Sequence, residues 1–344
     1  MAKKLLHINL YFFISVILFS CSDNNRIEQS TLPTPEVKFT PGEIISDVDG
    51  FVQYYVGNTP IIITVPHDGT SIPNTIPPRS GDNTRAENTQ GIAQYFYNGF
   101  IDESNGLFPH VILNNIDRSR MDPDSPPSIG AENSFATSYF NRYHTYIGVA
   151  IDSIEANFDT GILLNLVSHD DANQIIEIGF NISKDVFNSS DNILDNSQSQ
   201  SSISYLSSIS PSSFHELVRG FDSIGKGIMD QNCCKPIYYT FNVTPSPDFP
   251  VPSDENYNSG GYTISTYGSH NSISQMGAMD LSTPYLNHRD SPYAYLALGK
   301  MLVTALNNFY YDTTGMSIYW FPLFLSWVAF CKYSWASSSL PSPK

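Results

Sequence analysis

The chain has 344 residues, enough for two domains of average size or one large α/β domain, and its composition excludes several classes of protein. With 41% hydrophobic and 13% aromatic residues it is not intrinsically disordered, and with 15% charged residues it is not a coiled coil. Acidic residues outnumber basic ones 33 to 17, and no segment has the clustered Lys and Arg that nucleic-acid binding requires. We therefore expect a globular protein that does not bind nucleic acid.

The first twenty residues have the pattern of a signal peptide. Lys3-Lys4 precedes an apolar run over residues 5–19, which is too short for a comfortable membrane span. The run ends in Leu18-Phe19-Ser20-Cys21, which resembles a bacterial lipobox. We expect residues 1–20 to be removed and the mature chain to be an exported lipoprotein, held on a membrane in the periplasm or at the cell surface by a lipid on Cys21. The alternative is an ordinary secretory signal with a coincidental cysteine.

Composition also changes abruptly near both ends of the mature chain. Residues 21–40 are rich in Asn, Ser, Thr and Pro and are predicted to form a tether. No acidic residue follows Asp312, and residues 316–330 form an apolar run that is shorter than the roughly twenty residues of a membrane helix. We predict one domain over residues 41–312 and an atypical apolar tail over residues 313–344. All three tryptophans fall in this tail: Trp320, Trp327 and Trp335.

Strand and helix patterns alternate along the middle of the chain. This alternation predicts an α/β fold, a three-layer α/β/α sandwich with a mixed, largely parallel sheet. The Ser- and Asn-rich segment 188–213 interrupts the pattern and is predicted to be a surface loop inserted in the domain. The predicted strands are Phe51–Val56, Ile61–Val65, His110–Ile116, Ile162–Val167, Ile175–Ile178 and Pro236–Phe241, and the predicted helices are Asn88–Ile101, Ala131–Phe158, Phe214–Met229 and Pro292–Phe309.

Two of the predicted strands are followed closely by a histidine, His67 in one case and His169 in the other. Open α/β sheets bind their ligands at the carboxyl ends of their strands. Two histidines and a carboxylate placed there would make a zinc site with three protein ligands and one open position. Glu87 is the leading carboxylate, and Asp82 is the alternative. The competing interpretation is that each histidine is a hydrogen-bonded structural residue.

Short motifs of a recognisable kind succeed one another along the chain. They are Val65-Pro66-His67-Asp68-Gly69, Arg85-Ala86-Glu87-Asn88-Thr89-Gln90, residues 114–122, Tyr143-His144, residues 163–169, residues 176–180, Gly260-Gly261-Tyr262 and Tyr267-Gly268. In this order and spacing they resemble the N-formylglutamate amidohydrolase family. The resemblance covers roughly residues 56–309, and its specificity comes from order and spacing because no single motif is long.

The resemblance implies a phosphorylase/hydrolase-like α/β/α sandwich related to zinc carboxypeptidases and aspartoacylases. It also implies a zinc ion held by His67, Glu87 and His169, and hydrolysis of an amide or acyl bond in an amino-acid-like substrate. Zinc would activate a water molecule, and a carboxylate would collect its proton. The family has a glutamate near the end of the sheet where this chain has Asp280, so Asp280 is the predicted general base. Its shorter side chain would displace the carboxylate by about 1 Å.

A substrate carboxylate is best bound by a guanidinium group. Arg118 and Arg120 follow a predicted strand at the place where the family has basic substrate-binding residues, and we expect them to bind the substrate. The alternative is a surface ion pair with Asp117 or Asp122. Gly261 and Tyr262 belong to a Gly- and Tyr-rich segment that would let the substrate approach the backbone, or would simply form a tight turn.

We predict an exported, zinc-dependent amidohydrolase that cleaves an amide or acyl bond of an N-acyl amino acid or a similar small carboxylate-bearing substrate. One alternative is a peptide or cell-wall amidase. Another is a surface binding lipoprotein that kept the fold while its active site degenerated. Two departures from the family favour this last alternative: Asp280 replaces a glutamate, and Asp122-Pro123-Asp124-Ser125 lacks an arginine that the family commonly has in this segment.

Overall fold

The structure is a computed structural model that describes residues 39–170, 174–234, 239–253, 255–271 and 274–319. The predicted signal peptide, the predicted lipidation site Cys21, almost all of the predicted tether and residues 320–344 of the predicted tail lie outside this range. Within it, no helix combines the length and apolar character needed to cross a membrane.

In the described part of the chain, eight strands form one mixed sheet. They are β1 (Ile44–Ser46), β2 (Val52–Tyr55), β3 (Ile61–Val65), β4 (His110–Asn114), β5 (Gly161–Ser168), β6 (Ile176–Gly179), β7 (Val243–Thr244) and β8 (Met276–Thr283). Their order is β1-β2-β4-β3-β5-β8-β6-β7. The central strands β4, β3, β5 and β8 run parallel, and antiparallel neighbours, β2 and β6, flank them.

Helices cover both faces of this sheet, which confirms the predicted three-layer α/β/α architecture. The helices are α1 (Thr89–Ser104), α2 (Pro127–Gly130), α3 (Ser134–Asn157), α4 (Lys184–Phe187), α5 (Asp191–Asn196), α6 (Ser204–Ile209), α7 (Phe214–Arg219), α8 (Ile224–Asp230), α9 (Tyr262–Tyr267) and α10 (Pro292–Thr314). On one face, Phe96 of α1 and Leu302 of α10 share a core with Ile63 of β3. On the other face, Ile147 of α3 packs with Ile62. Neighbouring residues of β3 therefore serve opposite layers, as side-chain alternation requires.

Most predicted elements overlap observed ones, and β3 has the predicted bounds. Among the predicted strands and helices, two were wrong within the described residues. Tyr239–Phe241, the described end of the strand predicted over Pro236–Phe241, is not a strand, and the nearby strand β7 begins at Val243. The helix predicted over Phe214–Met229 is divided into α7 and α8, because the backbone is extended at Gly220, where a Cβ would collide with Glu216.

The Ser- and Asn-rich segment 188–213 is not the predicted surface loop. It forms helices α5 and α6, and three of its apolar residues, Leu194, Ile203 and Leu206, are fully buried in the main core, whereas Ile193 and Ile209 are exposed. Its serines contribute to this packing. Ser202 donates from Oγ to the carbonyl of Ala278 in β8 at 2.6 Å, and its carbonyl accepts from the Ala278 amide at 3.1 Å. A polar composition is compatible with burial here because serine hydroxyl groups form hydrogen bonds with backbone atoms of the sheet.

The folded part extends past the predicted boundary at residue 312. Helix α10 continues to Thr314, and Tyr319 is 4% exposed. The Tyr319 ring lies 5.3 Å from that of Phe100 in α1, edge to face. The first residues of the predicted tail are therefore part of the core, whereas the rest of the tail lies outside the described residues.

Candidate active site

Polar side chains form a buried row across the central parallel strands. The strand register pairs Thr64 of β3 with Asn165 of β5, and Asn165 with Asp280 of β8. All three residues are fully buried. Thr64 Oγ1 donates to Asn165 Oδ1 at 2.8 Å, and Asn165 Nδ2 donates to Asp280 Oδ1 at 2.9 Å. The register thus places a fixed carboxyl group in the middle of the sheet.

The second carboxyl oxygen of Asp280 faces the segment before α9. Asp280 Oδ2 accepts from the Gly261 amide at 2.7 Å and lies 3.4 Å from Asn258 Nδ2. Burial raises the pKa of Asp280 to about 6, although the hydrogen bonds from Asn165, Gly261 and Asn258 oppose this rise. Asp280 therefore titrates near neutral pH while remaining well positioned.

A second carboxyl group, that of Asp124, lies on the other side of Gly261. Asp124 Oδ1 accepts from the Thr263 amide at 2.8 Å, and the Asp124 carbonyl accepts from the Tyr262 amide at 3.3 Å. A Cβ at position 261 would lie 2.4 Å from Asp124 Oδ2, so this close approach requires glycine. Burial, and next the charge of Asp280, raise the pKa of Asp124 to about 7.

Asp124 and Asp280 form a carboxyl pair on the two sides of Gly261. Because two carboxylates in one desolvated site repel each other, the pair keeps a proton to a higher pH than either side chain would in water. Asp124 is half-buried, whereas Asp280 is fully buried. Such a pair can accept a proton at one carboxyl group and donate one at the other, which is the requirement for general acid–base catalysis.

His67 joins this pair through a buried ion network centred on Asp122. His67 Nε2 lies 2.7 Å from Asp122 Oδ1, and Asp122 Oδ2 accepts from Arg79 Nη2 and Arg118 Nε, each at 3.0 Å. Burial opposes ionisation of Asp122, but the charge and hydrogen bond of His67 and the two guanidinium groups hold its pKa well below the usual range. The Asp124 amide also donates to Asp122 Oδ1, at 2.9 Å.

The three side chains predicted to bind zinc do not form a site. Among the described residues, no group of three or more His, Cys, Asp and Glu side chains is placed to hold a metal ion. His67 uses Nε2 for Asp122, His169 Nε2 donates to the Ile175 carbonyl at 3.0 Å, and Glu87 has a 50% exposed side chain 4.0 Å from an arginine. The alternative carboxylate, that of Asp82, pairs with an arginine instead. These donors do not fit the predicted zinc centre.

The chain path explains why the two strand-end histidines separate. Strand β5 pairs with β8 as far as Ser168, and the His169 amide still donates to the Thr283 carbonyl of β8 at 3.2 Å. Strand β3 ends at Val65, and His67 lies beyond Pro66, where it is 3% exposed and bound to Asp122. The two side chains therefore face different partners, even though the strands are neighbours.

The predicted substrate-binding residues also divide into two groups. Arg118 bonds to Asp122 and, through Nη1, to Asp82 at 2.7 Å, so it forms the ion pair with Asp122 considered above, although that carboxylate is buried and not at the surface. Arg120 Nη1 donates to the Ile76 carbonyl at 2.9 Å. The predicted site residues gathered at the carboxyl pair are Asp280, Gly261, Tyr262, His67 and, through Asp122, Arg118, whereas Glu87, His169 and Arg120 are not brought to it.

Sequence reasoning did not assign roles to Asp122, Asp124 and Asn165. Asn165 carried a signal, since it is a polar residue within an apolar strand and buried polar residues are uncommon. Asp122 and Asp124 come after a strand that ends at the same edge of the sheet as β3. They were recognised as a departure from the family pattern, but only the structure shows that both carboxyl groups face the site.

No protein-family model and no curated protein matches the chain. Two solved structures resemble it at probability 1.00. One is gene product Atu2144 from Agrobacterium tumefaciens, with a TM-score of 0.42 and 10% identity over 74% of this chain and 94% of that chain. The other is an N-formylglutamate amidohydrolase from Ralstonia eutropha JMP134, with a TM-score of 0.40 and 11% identity over 77% of this chain and 99% of that chain. Similarity at this level does not identify a family, so the function is inferred from the geometry of the site.

Proposed function

We propose that the protein is a hydrolase of amide bonds in which Asp124 and Asp280 form the acid–base pair. The observation that carries this proposal is the placement of two carboxyl groups with raised pKa against the same glycine, Gly261. They lie beside the central parallel strands, and open α/β sheets bind ligands at the carboxyl ends of such strands. The motif order, which resembles amidohydrolases, supports the same class of reaction.

The proposed reaction needs one ionised and one protonated carboxyl group. The hydrogen-bond donors around Asp280 favour its ionised form, so Asp280 accepts a proton from the attacking water. Asp124 has the higher pKa and gives its proton to the leaving nitrogen. The water oxygen forms a bond to the carbonyl carbon, the carbon–nitrogen bond breaks, and the products are a carboxylic acid and an amine.

Arg118, which shares Asp122 with His67, indicates the substrate class. Arg118 is partly accessible, with 17% of its side chain exposed, and its present partner Asp82 is 59% exposed. A substrate carboxylate can replace Asp82 on this guanidinium group, because an exposed ion pair contributes little stability. We therefore infer an N-acyl amino acid or a similar small carboxylate-bearing amide as substrate, rather than a neutral amide.

The separation of His67, Glu87 and His169 favours a second candidate function. If hydrolysis in this fold requires zinc on those three residues, the present arrangement would bind an amide without cleaving it. The protein would then be a surface binding lipoprotein, and the carboxyl pair would recognise the ligand by hydrogen bonding.

A substrate panel separates the two candidates. Purified protein is incubated at pH 6.5 with N-formyl and N-acetyl derivatives of acidic and neutral amino acids, and release of the amine is measured. The hydrolase proposal expects turnover of at least one of them, whereas binding by calorimetry without turnover favours the second candidate. Zinc is measured in the same preparation, because one zinc per chain that is lost in His67→Ala would restore the metal-dependent mechanism predicted from the sequence.

Export and lipid anchoring are proposed from the N-terminal sequence alone. In a bacterial host, the protein should incorporate radiolabelled palmitate and fractionate with membranes. Cys21→Ser should abolish both properties. Palmitate labelling that persists in this variant would contradict the assignment of Cys21.

A further inference from the structure

His144 lies in the middle of α3 with its side chain inside an aromatic cluster next to the carboxyl pair. The imidazole ring centroid is 4.4 Å from that of Phe140, 5.6 Å from that of Tyr262 and 5.9 Å from that of Tyr267. The motif Tyr143-His144 belongs to the pattern that resembles amidohydrolases, yet the proposed chemistry gives His144 no role. A polar ring in such surroundings must be satisfied by hydrogen bonds.

Both ring nitrogens of His144 bond to segments that form the site. Nε2 lies 3.0 Å from the Pro123 carbonyl, and Nδ1 lies 2.9 Å from the Tyr267 hydroxyl. A carbonyl oxygen can only accept, so Nε2 carries the proton and Nδ1 accepts from the Tyr267 hydroxyl, which also lies 3.3 Å from the His144 carbonyl as a longer second contact. Burial lowers the pKa of His144 to about 4, so the ring is neutral at physiological pH and keeps this tautomer.

The two bonds connect the parts of the chain that meet at Asp124. Pro123 immediately precedes Asp124. Tyr267 is the last residue of α9, and the first two amides of that helix, those of Tyr262 and Thr263, donate to Asp124. One imidazole on the rigid helix α3 therefore holds both the loop that carries Asp124 and the helix that caps it.

We propose that His144 is a positioning residue that keeps Asp124 against Gly261 and thereby next to Asp280. His144 reaches neither Asp124 nor Asp280 by hydrogen bonding, so it acts through Pro123 and Tyr267. Its effect on turnover rests on the proposed function, but its effect on the position of Asp124 does not. The two can therefore be tested separately.

Hydrogen exchange tests the position of Asp124 directly. In His144→Phe the ring volume is kept and both bonds are lost, so the Tyr262 and Thr263 amides should exchange about tenfold faster. In His144→Gln the side-chain amide can still donate to Pro123, so their exchange should stay within about twofold of wild type. Reference amides are those of Gly268, which bonds within α9, and Ala278 in β8.

Two further variants control for global effects. Tyr267→Phe removes one hydroxyl group and keeps the ring packing, so it should accelerate exchange of the Tyr262 and Thr263 amides by about threefold. His215→Gln replaces another partly buried histidine, which bonds to Asp195 in a different part of the chain, and should leave these amides unchanged. Equal acceleration of all amides in every His144 and Tyr267 variant, or no acceleration in any, would overturn the positioning role.

Activity measurements separate this inference from the proposed function. If wild type hydrolyses an N-acyl amino acid, His144→Phe should lower kcat at least tenfold with little change in KM, and His144→Gln should recover most of the loss. If the Tyr262 and Thr263 amides exchange selectively faster in His144→Phe but wild type hydrolyses no substrate, the hydrolase proposal is refuted and the positioning role stands. Turnover that is unaffected in His144→Phe would refute the positioning role and leave the hydrolase intact.

Discussion

His67 and His169 come after neighbouring parallel strands, but their surroundings differ. His67 is 3% exposed and bonds to a buried carboxylate, whereas His169 is half-buried and bonds to a backbone carbonyl six residues further along its own chain. The difference arises from the path of the backbone beyond each strand. A turn at Pro66 leads His67 to the loop that carries Asp122, whereas His169 remains hydrogen-bonded alongside β8. Equivalent positions at a sheet edge are therefore not sufficient for two side chains to share a ligand.

The carboxylates beside these histidines show the same contrast. Asp122 is 1% exposed and contacts His67 and two arginines, whereas Glu87 is 50% exposed and 4.0 Å from Arg85. A buried charge network carries a large desolvation cost, so it persists only with nearly complete pairing. The Asp122 network is accordingly buried and fully paired, whereas the Arg85–Glu87 pair is a surface contact.

The largest effect is expected for Asp280→Asn. This change removes the proposed base and keeps the side-chain size, so kcat on the substrate identified by the panel should fall about a thousandfold. Asp290→Asn is the matched control, because Asp290 is an exposed aspartate after the same strand and should retain wild-type activity. Loss of less than tenfold in Asp280→Asn would remove Asp280 from the mechanism.

Asp122→Asn should have the next largest effect. It leaves Arg79 and Arg118 buried or partly buried without their shared carboxylate, so the free energy of unfolding should fall by about 3 kcal/mol or more. Asp82→Asn removes the exposed partner of the same Arg118 and should cost less than about 1 kcal/mol. Urea unfolding of both variants measures the two losses of unfolding free energy. Equal losses would contradict the distinction between buried and exposed partners.

Stability should also depend on pH through the carboxyl pair. The folded pKa values of Asp124 and Asp280, about 7 and about 6, exceed the ordinary value of 3.8, so the folded protein binds more protons than the unfolded chain between these limits. This contribution is complete below about pH 4 and is lost as pH rises to about 7. In urea unfolding, the stability difference between wild type and Asp124→Asn should fall by up to about 1.4 kcal/mol per pH unit in this range. A constant difference would show that Asp124 titrates normally.

The smallest effect is expected for Glu87→Gln. Its side chain is half exposed and makes only a long contact with Arg85, so unfolding free energy should change by less than about 0.5 kcal/mol and activity should not change. Urea unfolding and the substrate assay measure both quantities. A tenfold loss of activity would show that Glu87 belongs to the active site and would support the zinc prediction.

The sequence was sufficient for the fold class and for most central strands because buried parallel strands are short apolar runs. Strand β3 shows this most clearly. It was not sufficient for segment 188–213, where three buried apolar residues and well-placed serine hydroxyls outweigh a polar composition. Composition averages over a segment, whereas packing depends on a few positions.

For the site, the sequence indicated Asp280, Gly261 and His67 as candidates but not their partners, and His67 bonds to Asp122 where zinc binding was expected. The pairing of Asn165 with Asp280 is fixed by strand register, which no local pattern encodes. The approach of Asp124 to Gly261 depends on a loop and a short helix far apart in sequence. Motif order indicates candidate residues, but it does not specify which of them meet.

The carboxyl pair itself can be observed without any substrate. Protein labelled with ¹³C at the aspartate carboxyl carbons is titrated by NMR, with Asp124→Asn and Asp280→Asn used to assign the two signals. If the two residues form the proposed acid–base pair, their signals should titrate with apparent pKa values of about 6 and about 7. Titration of both carboxyl groups near pH 4, as in water, would contradict the pair and the mechanism built on it.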